Sequence, residues 1–136
     1  MAEKIFIDAD GAILGRLCSY VAKKALEGNE IIIVNAEKVI ITGKKNNIIK
    51  EYGERRKKGR SHSLKGPKYS RVPYKMLKRS IRGMLPDFRK STGKETFRRI
   101  KCYNGVPEEF KDNKMLRINA PKKIKFMILE ELSKRI

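Results

Sequence analysis

The sequence has no tryptophan, one histidine, two cysteines and only 15 acidic residues against 34 basic ones. Each scarcity removes a class of function. With His62 alone, a hydrolytic triad or a histidine-based metal site lacks its parts. Cys18 and Cys102 stand 84 positions apart with no CxxC or Cys/His cluster, which argues against a zinc finger or a disulfide framework. They read as buried free thiols. No run approaches the ~18 apolar residues of a membrane span. Met1-Ala-Glu-Lys also lacks the apolar core of a signal peptide, so a cytosolic chain is expected. Gly11 to Gly15 does not end in the Gly-Lys-Ser/Thr of a phosphate-binding loop. Asp8 and Asp10 close a short apolar run and resemble the carboxylates of a nuclease metal site. Neither a histidine nor a third carboxylate at useful spacing joins them, and turn and capping roles are expected. The reading is not an enzyme, with no cofactor, no metal and no small-molecule substrate.

What is abundant is cation, and it is concentrated. Residues 1–40 carry 5 Lys/Arg against 6 Asp/Glu, whereas residues 41–90 carry 17 against 3 and residues 91–136 carry 12 against 6. A nearly neutral segment is thus followed by a basic block, which costs self-repulsion unless a polyanion meets it. At 136 residues the chain is long enough for one domain with a real core.

The neutral segment has the pattern of an α/β fold. Ile5-Phe6-Ile7 reads as a strand ending in the Asp8–Gly11 turn. Leu14, Leu17, Cys18, Val21, Ala22 and Ala25 recur on one face at ~100° per residue, an amphipathic helix, with Gly28 as its left-handed C′ residue. Ile31–Val34 is β-branched throughout, a strand buried on both faces. Val39–Thr42 repeats that composition after a break. A helix is expected from Lys44 to about Tyr52. A basic loop follows at about 53–72, with too few apolar residues to order itself by burial.

Pro73 opens a second amphipathic helix at its N1 position. Met76, Leu77, Ser80, Ile81, Met84 and Leu85 fill one half, Lys75, Lys78, Arg79 and Arg82 the other, and Pro86 stops it. Thr92-Gly-Lys-Glu95 has capping-box spacing for a helix reaching about Ile100. Ile100 and Cys102 alternate with polar neighbours as a strand, and Asn104-Gly105 turns the chain. Residues 106–123 read as connection. Ile124–Ile136 reads as a strand passing into a short helix, with Leu129, Leu132 and Ile136 inward.

The cations point to nucleic acid, because Lys and Arg neutralise phosphates and release counterions with little sequence preference. The candidate nucleic-acid-binding residues are Lys44, Lys45, Arg55, Arg56, Lys57, Lys58, Arg60, His62, Lys65, Lys68, Arg71, Lys75, Lys78, Arg79, Arg82, Arg89 and Lys90. Tyr52, Tyr69 and Tyr74 flank them and can stack on unpaired bases. No helix-turn-helix, zinc-finger or RNP-type pattern is present, and composition does not separate RNA from DNA. A membrane surface is disfavoured, since the Met76–Leu85 face has no Trp or Phe anchor.

Four separate stretches then carry a resemblance. Asp8-Ala with Leu14-Gly15-Arg16-Leu17, Val34-Asn35-Ala36-Glu37-Lys38, Ile41-Thr42-Gly43-Lys44 and above all Arg82-Gly83-Met84-Leu85-Pro86 resemble the thirteenth protein family of the large ribosomal subunit. The match runs over roughly residues 4–105 and is closest to the archaeal and eukaryotic branch. The resemblance implies a three-layer α/β/α sandwich around a small, mostly parallel, mixed sheet, in a single domain with a basic loop extension. It also implies a cytoplasmic structural protein of the large subunit, bound to large-subunit ribosomal RNA and to neighbouring ribosomal proteins, without homo-oligomerisation and without catalytic residues. Bacterial relatives join the particle early, so support of RNA folding during assembly is part of the expectation. The alternative is a free nucleic-acid-binding module, an RNA chaperone or chromatin-type protein.

Overall fold

The unbroken β-branched run Ile31–Val34 sets the centre of the molecule. In the computed structural model, which describes residues 3–58, 68–87, 89–118 and 125–136, it forms most of strand β2 (Glu30–Val34), and all four side chains are buried. Strand β1 (Lys4–Asp8) pairs parallel with it, Ile7 opposite Ile33. Strand β4 (Ile100–Cys102) lies on its other side, also parallel, with Ile31 opposite Ile100. Strand β5 (Leu116–Arg117) adds to the far side of β1, giving the order β4-β2-β1-β5.

Alternation along these strands divides the interior in two. Ile7, Ile31, Ile33, Ile100 and Cys102 belong to the larger core. It receives side chains from helices α1 (Leu14–Leu26), α2 (Lys45–Lys57), α3 (Pro73–Gly83), α4 (Ser91–Arg98) and α5 (Leu129–Arg135). Ile32 and Val34 point the other way, where Phe6, Tyr103, Val106, Phe110 and Met115 cover them. The Phe6 and Phe110 rings meet at 5.4 Å, and those of Tyr103 and Phe110 at 5.6 Å. The fold is α/β with a parallel main sheet. Its third layer, among the described residues, is a 3-10 turn at Glu108–Phe110 with coil rather than an α-helix.

The expected helix α1 forms with its spacing intact, burying Leu17, Cys18, Val21, Ala22 and Ala25. Its end is a Schellman motif: the Gly28 N–H donates to Ala25 O and the Asn29 N–H to Lys24 O, with Gly28 at φ 101°. Both cysteines are free and buried, and burial pushes each thiol up to about 12.

Two expectations need correction, and one expected strand pairs outside the main sheet. The run Val39–Thr42 yields strand β3 (Ile40–Thr42), which leaves the main sheet and pairs antiparallel with strand β6 (Phe126–Ile128). A parallel return to β2 needs a crossover of a dozen or more residues, and only a single 3-10 turn at Ala36–Lys38 intervenes. Strand β5 falls within the stretch read as connection; both its residues are exposed, so it carries no apolar periodicity. The capping box is not made either. Lys90 caps α4, without a side-chain bond, and the helix ends at Arg98. Thr92 lies inside α4, where its carbonyl accepts from the Thr96 hydroxyl at 2.8 Å.

Gly93 has a different task in that helix. A Cβ built on it would lie 2.6 Å from the Pro86 carbonyl oxygen and closer still to that of Asp87. The missing side chain lets α4 abut the turn that leaves α3. Gly93→Ala should therefore destabilise the protein by about 1–3 kcal/mol through overpacking, although alanine in an open helix gains ~1 kcal/mol over glycine. Urea titration measures it. An unchanged or raised midpoint would mean that the turn can move aside.

Candidate nucleic-acid interface

The site is built on α3. Pro73 occupies the first turn, where its missing N–H breaks no helical bond. Met76, Leu77 and Ile81 are buried against the core, and α3 packs chiefly on α1, with further contacts to β4. Leu85 is buried beyond the helix end, but Met84, expected on the same inward face, is 46% exposed. The helix stops at Gly83, and Met84 is its C-cap, so helical spacing no longer directs its side chain inward.

Helix α2 supplies the opposite wall and is longer than its apolar pattern suggests. The loop expected from about residue 53 does not begin there: Gly53 through Lys57, with Arg55 and Arg56, are helical. Glu51 ion-pairs with Arg55 at i, i+4, and the Arg55 guanidinium lies 4.9 Å from the Tyr52 ring centroid. Such pairs and the good helix propensity of Arg, Lys and Glu offset the ~1 kcal/mol cost of Gly53.

Between these helices lies a cavity of about 420 Å³. Arg55 and Arg56 reach it from α2, Lys68 from the segment before α3, and Lys75, Lys78, Arg79 and Arg82 from α3. No acidic residue is among its described lining. Three of the cations lie over aromatic rings: Arg79 at 3.9 Å from the Tyr69 centroid, Arg55 over Tyr52, and Lys78 at 5.0 Å from that of Phe97. Burial raises the Tyr52 phenol above its ordinary value, so it stays a neutral ring. Segment 68–70 is tied to both walls. Arg79 Nη1 donates to Lys68 O at 3.2 Å, and Arg56 Nε donates to Tyr69 O at 3.4 Å.

The other candidate residues lie outside this lining. Lys57, Lys58 and Arg71 are exposed beside the groove elements. Lys44 and Lys45 stand at the opposite end of α2, roughly 18 Å along its axis from Lys57 by helical rise. There Lys45 Nζ pairs with Glu131 at 3.4 Å. Arg89 and Lys90 are exposed in the turn before α4. Arg60, His62 and Lys65 lie outside the described residues, as does Ile124 at the start of the last strand reading. Of the three tyrosines, Tyr52 and Tyr69 line the groove, while Tyr74 packs against the main core. Phe97 and Ser70 line the groove unforeseen; Phe97 arrives from α4, across a tertiary contact that has no local signal.

The carboxylates at the β1 end are structural. Asp8 Oδ1 accepts from the Asp10 N–H at 3.0 Å and from Asn35 Nδ2 at 2.9 Å, and Oδ2 pairs with Arg117 at 3.1 Å. Burial alone would raise its pKa, but the Asn35, Asp10 and Arg117 contacts outweigh that and hold it below the ordinary carboxylate value. Asn35 sits at φ 58°, a left-handed conformation that asparagine tolerates. Its N–H bonds to Gly105 O at 2.9 Å, while Glu37 Oε2 accepts from the Gly105 N–H at 2.8 Å. The Val34–Lys38 stretch thus clasps the ends of β1, β2 and the chain leaving β4. Among the described residues, no three His, Cys, Asp or Glu side chains group as metal ligands.

The family model described as ribosomal protein L13 matches residues 2–109. The chain belongs to that ribosomal protein family. Its similarity to L13 proteins extends past the matched region. The large ribosomal subunit protein uL13 of Methanocaldococcus jannaschii is 47% identical over 134 residues, covering 96% of this chain and 95% of the relative. The uL13 of Methanococcus maripaludis is 47% identical over 131 residues, covering 95% and 94%. That of Natronomonas pharaonis is 39% identical over 136 residues, covering 97% and 90%. At this coverage the similarity to the L13 relatives reaches well beyond residue 109.

Proposed function

We propose that this chain is a structural constituent of the large ribosomal subunit in the cytoplasm. It binds large-subunit ribosomal RNA through the α2–α3 groove and supports folding of that RNA during assembly. Neighbouring ribosomal proteins are its other partners, and it carries out no catalysis. One observation supports the RNA contact above all: seven cations converge on one concavity with no acid among its described lining. Their positions are held by rigid elements, so the charge is presented to a partner rather than spread over a solvated surface. Gly83, at the end of α3, supports the same reading. Apart from its chain neighbours and its own helix backbone, nothing described lies within 4 Å of where its Cβ would be, which leaves its backbone open to a close approach. No helix among the described residues is long and apolar enough to cross a membrane.

Gradient fractionation of native lysate at moderate and high salt tests the proposal. Co-migration with large subunits through high salt is expected, because shape and many phosphate contacts act together. A chain found only at the top of the gradient at both salts would overturn it and favour a free nucleic-acid-binding module.

A further inference from the structure

Resting on that reading, we propose that the α2–α3 groove receives an unpaired nucleotide. The base lies against the Arg79–Tyr69 stack, and the flanking phosphates meet Lys68 and Lys75. Contact with duplex phosphates needs only a flat or convex basic surface. Here the cations surround a cavity of about 420 Å³, within the roughly 300–1,000 Å³ span of small-ligand sites. The side chains of Tyr52, Tyr69, Phe97 and Met76 help to line it, a surface suited to a planar apolar group. Bases in an A-form helix are stacked out of reach, so only unpaired ones can enter such a site.

Arg79 decides between the two modes. Its guanidinium carbon lies 3.9 Å from the Tyr69 centroid and one of its N–H groups donates to Lys68 O at 3.2 Å. A guanidinium used this way is poorly placed for a bidentate phosphate fork, yet its plane remains suited to stacking. Arg56 holds the Tyr69 carbonyl from the other wall, so the platform is assembled before RNA arrives. Preorganisation of this kind lowers the ordering cost of binding. Lys68 and Lys75 are exposed and form no ion pair among the described residues, and they are left to meet the phosphates.

The test uses the full chain and two labelled RNAs with equal numbers of phosphates, one unpaired and one a blunt duplex. Binding is read by fluorescence anisotropy at fixed salt. Tyr69→Leu should weaken the unpaired RNA about tenfold, in line with loss of one stacked base, and change the duplex less than about twofold. Tyr69→Phe should keep the preference, and Lys75→Ala should weaken both RNAs by a similar factor. If Tyr69→Leu weakens both equally, or neither while Lys75→Ala weakens both, the groove is a phosphate clamp. The nucleotide proposal then fails and the RNA-binding reading stands. If no variant alters either RNA, the groove is not an RNA site and both readings of it fail. Thermal melting of Tyr69→Leu and Tyr69→Phe separates a lost platform from a lost fold.

Discussion

Replacing Leu77 by alanine should lower the stability of the protein by about 2–5 kcal/mol, the usual cost of emptying a fully buried leucine site. Leu77 is completely inaccessible and sits mid-way along α3, among the residues of the main core. Its neighbours come from elements fixed by other contacts, so the space cannot simply close. For a domain of this size the melting temperature should fall by about 10 °C or more. The urea midpoint should drop while the slope stays constant, since the surface exposed on unfolding barely changes. Below the new melting point RNA affinity should remain within about threefold, because the cations lie on the other side of α3. A loss under ~1 kcal/mol would mean that this face is not the core it resembles. Lost affinity at full folding would mean that the two faces of α3 are coupled.

That separation of faces was legible in the sequence because α3 is strongly two-sided and begins at a proline. The same holds for α1, whose six apolar positions and terminal glycine each fall where helical spacing requires. It holds for β2 too, where four consecutive β-branched residues leave little alternative to a central strand. Legibility fails where a position is decided by something distant. Strand β5 has two exposed residues and exists because the edge of β1 is open to it. The separate β3–β6 pair joins residues about 86 positions apart. Helix α2 extends through Gly53 because charged side chains stabilise it locally, not because it has an apolar face; of its residues only Ile48 is buried. The capping-box spacing at Thr92 is real as a pattern, but Gly93 is fixed by the turn lying against it.

The candidate interface divides in the same way. Its charge is foreshadowed by the imbalance of residues 41–90, and the four cations expected together on α3 do line one groove. Its shape was not readable, since it depends on α2 facing α3 across segment 68–70 and on Phe97 arriving from α4. The candidate cations therefore divide between one groove, the far end of α2 and the turn before α4. Arg56 and Arg79, both candidate binding residues, also hold backbone carbonyls.

Charge and position can be told apart by experiment. Changing Lys57, Lys68, Arg71 and Lys75 together to alanine should weaken RNA binding by about 10²–10³-fold near 0.1 M salt. It should also flatten the dependence of log affinity on log salt by about 3, as expected for four lost phosphate contacts. All four side chains are exposed and none forms an ion pair among the described residues, so the fold should keep its melting temperature within ~2 °C, as surface substitutions away from packed features do. The control removes the same charge elsewhere: Lys4, Lys23, Lys111 and Lys114 to alanine, all exposed and outside the groove lining. That variant should lose less than about threefold, since none of its lysines lines the groove and salt weakens long-range attraction from exposed charges. Equal losses in the two variants would show that net charge alone carries the affinity. The groove would then have no claim to be the interface, whatever its shape. A loss confined to the first variant would assign the affinity to the four cations in and beside the α2–α3 groove, with α1 and the parallel sheet acting as the frame that holds them in place.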